Sequence, residues 1–487
     1  MTATVEAPGA PAQAPGVGRW WLAGFIVSSA AGIILSFAAA TSQPILGARW
    51  ALLDLFAAWA GVWVIAVLCA LRLPLRRRWA VLAIAVVAVV VRVAALSSTP
   101  TLSDDLYRYS WDARVQLSGV DPYRRPPQSG ALVALREAWL WPDAGGCQRI
   151  DRPAGCTRIN RPDVRTIYPP VAEGWFSAVY RLGGGIGARH KLWQVAGLVT
   201  ELVTMALIVV ALLRRGRDPR WLALYALCPA PVIEVVNDGH VDGLAILFLI
   251  AAFLALCPRP GPARDATPGP ISVGRAALAG ALIGGATLVK LYPIVALLAL
   301  WMAPGIRIRH RLASAGAAIG VVVVGYAPHV LAVGVKVLGY LPGYLKEEHY
   351  TGTSSRYLLA AALHLHGHVA DAAVGGAVVA TVVVLAVRRL PALEAMTVLL
   401  GVLLLAATPV QPWYAVTLVA LAAVAARPRW GVVVVAGYPY FFAVILSAVH
   451  QNGIGQISYG AAVVALVPLS GGVIRGAGHR GRRVAPT

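Results

Sequence analysis

Residues 79–96, WAVLAIAVVAVVVRVAAL, run directly into residues 97–112, SSTPTLSDDLYRYSWD. The first piece is near the length that crosses about 30 Å of hydrocarbon as a helix. The second sets two adjacent carboxylates, Asp104 and Asp105, just beyond that piece and follows them with aromatics and arginines. Similar apolar runs recur at roughly 20–40, 50–71, 192–213, 220–235, 241–257, 274–289, 291–303, 312–334, 369–387, 394–408, 412–426, 430–448 and 456–474. Lipid admits only helices and closed barrels, and barrel strands would alternate polar with apolar residues. The expected fold is an all-α polytopic membrane protein with about 12–14 transmembrane helices, the shortest runs being candidates for re-entrant or tilted segments.

Composition agrees. Of 487 residues, 58% are hydrophobic and 13% charged, where a soluble protein carries about 25% charged residues. The formal charge of +21 invites a nucleic-acid reading, but the arginines punctuate the ends of apolar runs instead of forming one basic surface. Five cysteines are too few for a disulfide scaffold. Cys69, Cys228 and Cys257 lie in or beside apolar runs, whereas Cys147 and Cys156 share a hydrophilic loop and can pair if it faces an oxidising compartment. No Cys/His spacing suggests zinc. Residues 1–18 lack the basic start of a signal peptide and read as a disordered cytoplasmic tail. Residues 19–474 then form the membrane domain, and 475–487 a basic cytoplasmic tail.

Every second connection is basic: Arg72 with Arg76–Arg78, Arg214–Arg220, Arg259–Arg275, Arg307–Arg311, Arg388–Arg389, Arg427–Arg429 and the C-terminal tail. The positive-inside rule makes that side cytoplasmic. The outer side then receives two long loops, 97–190 and 335–368, and the short polar turns Asn237–Asp242, Lys290–Pro293, Thr408–Tyr414 and His450–Asn452.

Residues 104–118 read as a helix capped by Ser103. Asp105, Arg108, Asp112 and Gln116 share one stripe, with Leu106, Ala113 and Leu117 opposite. Such a helix is expected to lie in the interface, its polar side toward a cavity. Asp104 sits about 100° away from Asp105.

Each candidate has a plain competing reading. The Asp104–Asp105 pair could simply favour a helix N-terminus; its position after a span and at the head of a polar stripe points to chemistry. Asn237, His240 and Asp242 are either a polar turn or a functional cluster, since ionisable groups at a membrane boundary are costly unless paired. Lys290, one of four lysines among 42 basic residues, either snorkels or supplies a point charge for phosphate. Gln411, Trp413 and Tyr414 suit an interfacial aromatic belt or a stacking surface. Arg356, beside Glu347 and Glu348, lies in a polar loop that is either merely solvated or a gate.

At these residues the chain resembles the C-type glycosyltransferases, integral membrane enzymes that use polyprenyl-phosphate-linked sugars. Asp105-Leu-Tyr-Arg-Tyr followed by Gly119-Val-Asp-Pro-Tyr123 looks like the first-loop signature of the actinobacterial polyprenyl-phosphomannose-dependent mannosyltransferases, and is similar to that of glycosyltransferase family 87 and the GPI-type mannosyltransferases. Tyr168-Pro-Pro170, Asn237-x-x-His240-x-Asp242, Lys290-Leu-Tyr-Pro293 and Pro412-Trp-Tyr414 resemble later landmarks of the group. The resemblance covers roughly residues 79–420. One departure is that the key carboxylate follows the third apolar run instead of the first.

The resemblance implies a GT-C-like helical bundle whose large outer loops carry interfacial helices. It implies a plasma-membrane enzyme that transfers a sugar, mannose or alternatively arabinofuranose, to a glycolipid or lipoglycan acceptor with inversion. Asp105 would be the general base, with Asp104 as second candidate or partner. Arg108, Asn237, His240, Asp242, Lys290 and Arg356 would hold the donor phosphate or sugar, and Gln411, Trp413 and Tyr414 would line the sugar or the nearest isoprene. No cofactor is required and no metal site is expected, although adjacent aspartates can bind a divalent ion weakly. A flippase for a lipid-linked sugar is the other class; it would show internal repeats and charges deep in spans, whereas no repeat is evident and the charges are expected at helix ends.

Overall fold

A computed structural model of the chain describes residues 17–183, 189–257, 271–348, 350 and 356–467. The expected terminal tails, 1–18 and 475–487, lie almost wholly or wholly outside these residues. Every regular element among the described residues is helical.

Three helices, α1 (Val17–Thr41), α2 (Trp50–Leu71) and α3 (Arg77–Ala95), precede the first long loop, which carries α4 (Asp105–Leu117) and α5 (Pro170–Gly183). The chain continues through α6 (His190–Arg214), a π-type turn at Pro231–Asn237, α7 (Asp242–Leu256), α8 (Val273–Thr287), α9 (Tyr292–Met302) and α10 (Ile308–Val333). It ends with α11 (Gly367–Arg388), α12 (Ala392–Ala406), α13 (Pro412–Ala425), α14 (Gly431–Ile445) and α15 (Gln451–Leu466). Among the described residues each apolar run folds mainly as helix, the run 220–235 in short broken pieces.

Among the described residues seven helices are long and apolar enough to cross a membrane: α1, α2, α3, α6, α10, α11 and α14. The Pro231–Asn237 turn and α7, bent by 116° at their junction, make an eighth if read as one span. The four shorter apolar helices are α8, α9, α12 and α13. This is the fold of a polytopic all-α membrane protein, and the runs that the sequence marked as short are the ones that fold as broken or short segments.

Close approach at several seams depends on small residues. On α8, Gly280 and Gly284 lie directly against the backbone of Ser314 and Ala318 on α10, where a Cβ on Gly280 would collide with the Ser314 carbonyl. On α6, Gly197 meets the Val235 carbonyl in the same way. This contact brings the Pro231–Asn237 turn close to α6.

Two expectations are corrected. The polar stripe of α4 from Arg108 to Gln116 does not face an open cavity. Residues Leu106 to Ala113 are all buried, because the rest of the long loop wraps around them. Tyr109 stacks on Phe176 of α5 at 4.3 Å between ring centroids, Trp111 meets Trp141 at 5.7 Å and Tyr107 meets Trp139 at 5.9 Å. The polar stripe is spent inside this packing: Arg108 Nε bonds both Asp112 carboxylate oxygens at 2.9 Å, and Gln116 donates to Glu173 at 2.6 Å. Cys147 and Cys156 form a disulfide in the same loop.

Charges also occur away from helix ends. Arg92 of α3 and Glu201, midway along α6, form a fully buried ion pair at 2.7 Å, and the Ala226 carbonyl accepts from Arg92 at 2.7 Å. Tyr225 donates to the other Glu201 oxygen at 2.5 Å. Burying charge requires this degree of mutual satisfaction, and within an apolar run neither partner reveals the other.

At the far end of α6 the basic connections converge. Arg220 donates to the Leu75 carbonyl and Arg215 pairs with Glu394. At its near end, Lys191 and Gln194 donate to the Ser98 carbonyl at 2.7 and 3.1 Å. That is the end where Asp105 lies.

Candidate active site

Residues from four separate connections meet around Asp105. Its backbone N–H donates to Ser103 Oγ at 3.2 Å as α4 begins. Asn160 Nδ2 donates to Oδ1 at 2.6 Å, and the Tyr168 hydroxyl to Oδ2 at 2.9 Å. His240 Nε2 stands 3.8 Å from Oδ2, close enough for charge attraction and too far for a hydrogen bond.

His240 is delivered by a turn whose backbone favours glycine. Gly239 adopts φ +69°, and a Cβ there would sit 3.3 Å from Leu106 of α4. The imidazole is buried, with Nδ1 3.2 Å from Glu234 Oε2 and the Trp413 ring 4.5 Å away. Glu234 Oε1 accepts from the Tyr438 hydroxyl at 2.8 Å. Beside this array Lys290 Nζ lies 3.4 Å from Asp242 Oδ2 and 5.4 Å from the ring centroids of Tyr168 and Tyr414. Thus Asp105, His240, Asp242, Lys290, Trp413 and Tyr414 are brought together.

The electrostatics follow. Burial opposes the negative charge of Asp105, but His240, Lys290 and the hydrogen bonds from Asn160 and Tyr168 outweigh it and hold the carboxyl below its usual value. His240 lies in the break between the Pro231–Asn237 turn and α7. Burial opposes its charge too; Glu234, Asp105 and Asp238 reverse that and raise it to about 9. Asp104 behaves oppositely to Asp105: partial burial lifts its carboxyl, only partly offset by Arg152. The Asp105 carboxylate thus faces His240 and Lys290, each of which also stands beside an acid of its own, Glu234 and Asp242 respectively.

Other sequence candidates stand apart. Asp104 turns to Arg152 at 3.0 Å and is half-exposed. Arg108 is committed to Asp112 and to the Val164 carbonyl, at 3.2 Å. Asn237 is occupied by backbone, accepting from Thr101 N at 2.9 Å and donating to the Ala95 carbonyl at 2.9 Å, so it fastens the end of α3 to the turn. Arg356 bonds Glu348 Oε2 at 2.7 Å and the Pro409 carbonyl at 2.8 Å, and covers Tyr350. Gln411 precedes α13 without a capping bond from its side chain. Among the described residues no three His, Cys, Asp or Glu side chains gather to hold a metal ion.

Sequence reasoning missed Asn160, Glu234, Asp238 and Tyr438. Asn160 is one polar residue in an irregular loop and carries no signal. Glu234 did carry one, as an acid in the apolar run 220–235. Asp238 lay inside the Asn237–Asp242 stretch and accepts from Thr101 N and Leu102 N at 2.8 and 2.9 Å.

The model of glycosyltransferase family 87 matches residues 167–410, a shorter stretch than the 79–420 of the sequence resemblance. The match contains Tyr168, Glu234, His240, Asp242 and Lys290, while Asp105 and Asn160 precede it and Trp413 follows it. No curated protein and no solved structure matches the chain.

Proposed function

The chain belongs to glycosyltransferase family 87, and from that premise we propose that it carries a sugar, which we take to be mannose, from a polyprenyl-phosphate donor to a glycolipid or lipoglycan acceptor. The observation that carries this reading is the Asp105 carboxylate set against His240 at 3.8 Å and within the field of Lys290.

The chemistry has two requirements. The acceptor hydroxyl must lose a proton, and the departing phosphate must be stabilised. Asp105 takes that proton as the acceptor oxygen bonds to the sugar C1. The C1–O bond to phosphate breaks and its electron pair leaves on the polyprenyl phosphate, toward His240 and Lys290. Because that leaving group is good, a base as weak as Asp105 suffices. In-line displacement inverts the anomeric centre, so a β-linked donor gives an α-linked product. Trp413 and Tyr414 offer faces for the sugar.

A lipid-linked donor is supported by an apolar groove lined by Phe56, Trp63, Val434 and Tyr438. The Tyr438 hydroxyl bonds Glu234, so the groove adjoins the charged centre. The Cys147–Cys156 disulfide supports an oxidising, outer location for the long loop, and the basic connections at the opposite end support cytoplasmic placement of that end.

Membranes containing the protein, given radiolabelled polyprenyl-phosphomannose and a mannoside acceptor, test the proposal. Asp105→Asn should lose about 10²- to 10⁴-fold in rate, while Asp104→Asn stays near wild type. Normal transfer by both variants would remove Asp105 as base. Transfer only from a polyprenyl-phosphoarabinofuranose donor would change the sugar, and movement of intact donor across sealed vesicles without transfer would favour a flippase.

A further inference from the structure

The mechanism above uses Asp105, His240 and Lys290 and gives no task to Glu234, the buried acid beside His240. Glu234 is fully buried among apolar residues, and a carboxylate there is costly unless its partners compensate. Its two oxygens face opposite ways, Oε1 to Tyr438 of α14 at 2.8 Å and Oε2 to His240 Nδ1 at 3.2 Å. The Glu234 carbonyl also accepts from the His240 backbone N–H at 2.9 Å. The π-type winding of Pro231–Asn237 lets one residue reach both the ring and the backbone of the turn.

Resting on the glycosyl-transfer reading, we propose that Glu234 is a positioning residue: it holds the His240 ring with protonated Nδ1 turned toward itself, so that the Nε2–H edge faces Asp105 and the donor phosphate. The second proton makes the ring a cation at the point where phosphate charge develops. The groups that face the ring from the packed elements are Glu234, Asp238 of the turn, Asp105 of α4 and the Trp413 indole of α13. The indole lies tilted against the imidazole at 4.5 Å between centroids, near enough for its π system to attract a cation. Of the three acids, Asp105 carries the reaction and Asp238 is bonded to the backbone of Thr101 and Leu102. Glu234 is the acid that stands beside Nδ1, at 3.2 Å. Without it, His240 would be free to present either tautomer and would be neutral over more of the working pH range.

The experiment reads the histidine itself. Full-length protein labelled with ¹⁵N-histidine in lipid nanodiscs is titrated by NMR, with His240→Gln identifying the resonance. Glu234→Gln is expected to lower the His240 titration by about 1–3 pH units, the usual effect of removing an opposite charge at this range. In the transfer assay the alkaline limb of kcat/KM moves down with it, and Glu234→Gln adds no further loss in a His240→Gln background. Glu234→Asp is expected to restore part of the shift, and is read in place of Glu234→Gln if that variant does not fold. A His240 titration unchanged from wild type in the folded variant overturns the proposal. Because the NMR titration needs no substrate, it stands even if wild-type membranes transfer no mannose, an outcome that would count against the glycosyl-transfer reading alone.

Discussion

Tyr168 donates its hydroxyl to Asp105 at 2.9 Å while its own carbonyl accepts from the Tyr123 hydroxyl at 2.6 Å. Tyr123 is in turn held beside His329 of α10, whose ring pairs with Asp121 at 2.7 Å. The Gly119–Tyr123 motif therefore acts at a distance: it fixes the tyrosine that fixes the proposed base. It also connects a loop that precedes the family match to residues within it.

Tyr168→Phe should shift the acid limb of the pH–rate profile. The hydroxyl favours the ionised form of Asp105, and the carboxyl is held below its usual value. Above that lowered value the base is charged and competent; as pH falls through it, activity is lost. Removing the donor raises the value, so the limb moves to higher pH. Transfer at neutral pH should fall by no more than about 10-fold, given that a neutral hydrogen bond is worth roughly 0.5–1.5 kcal/mol.

Lys290 is expected to serve both the donor and the fold. Lys290→Gln should lower kcat/KM by about 10²-fold, as the loss of one stabilising charge in a transition state does. It also leaves Asp242 fully buried without its cation, so the melting temperature drops. The double variant Lys290→Gln/Asp242→Asn should recover stability in a detergent melt without recovering transfer, which separates the two roles.

Asn237→Ala should damage the structure and spare the chemistry. Its side chain ties Ala95 and Thr101 to the turn, and leaving such buried backbone groups unpaired costs about 1–3 kcal/mol. A lower melting temperature is expected, with kcat per folded molecule unchanged.

Arg92→Leu alone should destabilise by about 3–5 kcal/mol, because it leaves Glu201 buried and unpaired. Arg92→Leu with Glu201→Leu should approach wild-type stability and retain transfer. A double variant that folds but transfers nothing would give this pair a part in function.

The fold was legible because lipid imposes one rule on every span, and apolar length obeys it whatever the neighbours are. The separation of Asp104 from Asp105 was legible too, although its cause differs from a simple helix rotation: Asp104 stops just outside α4 and meets Arg152, while Asp105 opens the helix and meets Asn160 and Tyr168. Arg108 shows the limit. Its stripe pointed to the centre, but Asp112 one turn later was the nearer partner, and local pairing prevailed. Glu201 was hidden by its surroundings, since its partners Arg92 and Tyr225 lie on other segments and sequence periodicity carries no information about which segments meet.

The order of these residues along the chain has a consequence for biogenesis. Asp105 is followed within the same loop by its hydrogen-bond donors Asn160 and Tyr168, whereas His240, Lys290 and Trp413 are made only after further helices have entered the membrane. A nascent chain thus presents a carboxylate with no cation beside it. The reactive combination exists only once the early-made loop has closed on segments synthesised long afterwards, and a chain interrupted before α13 would insert while lacking a complete centre.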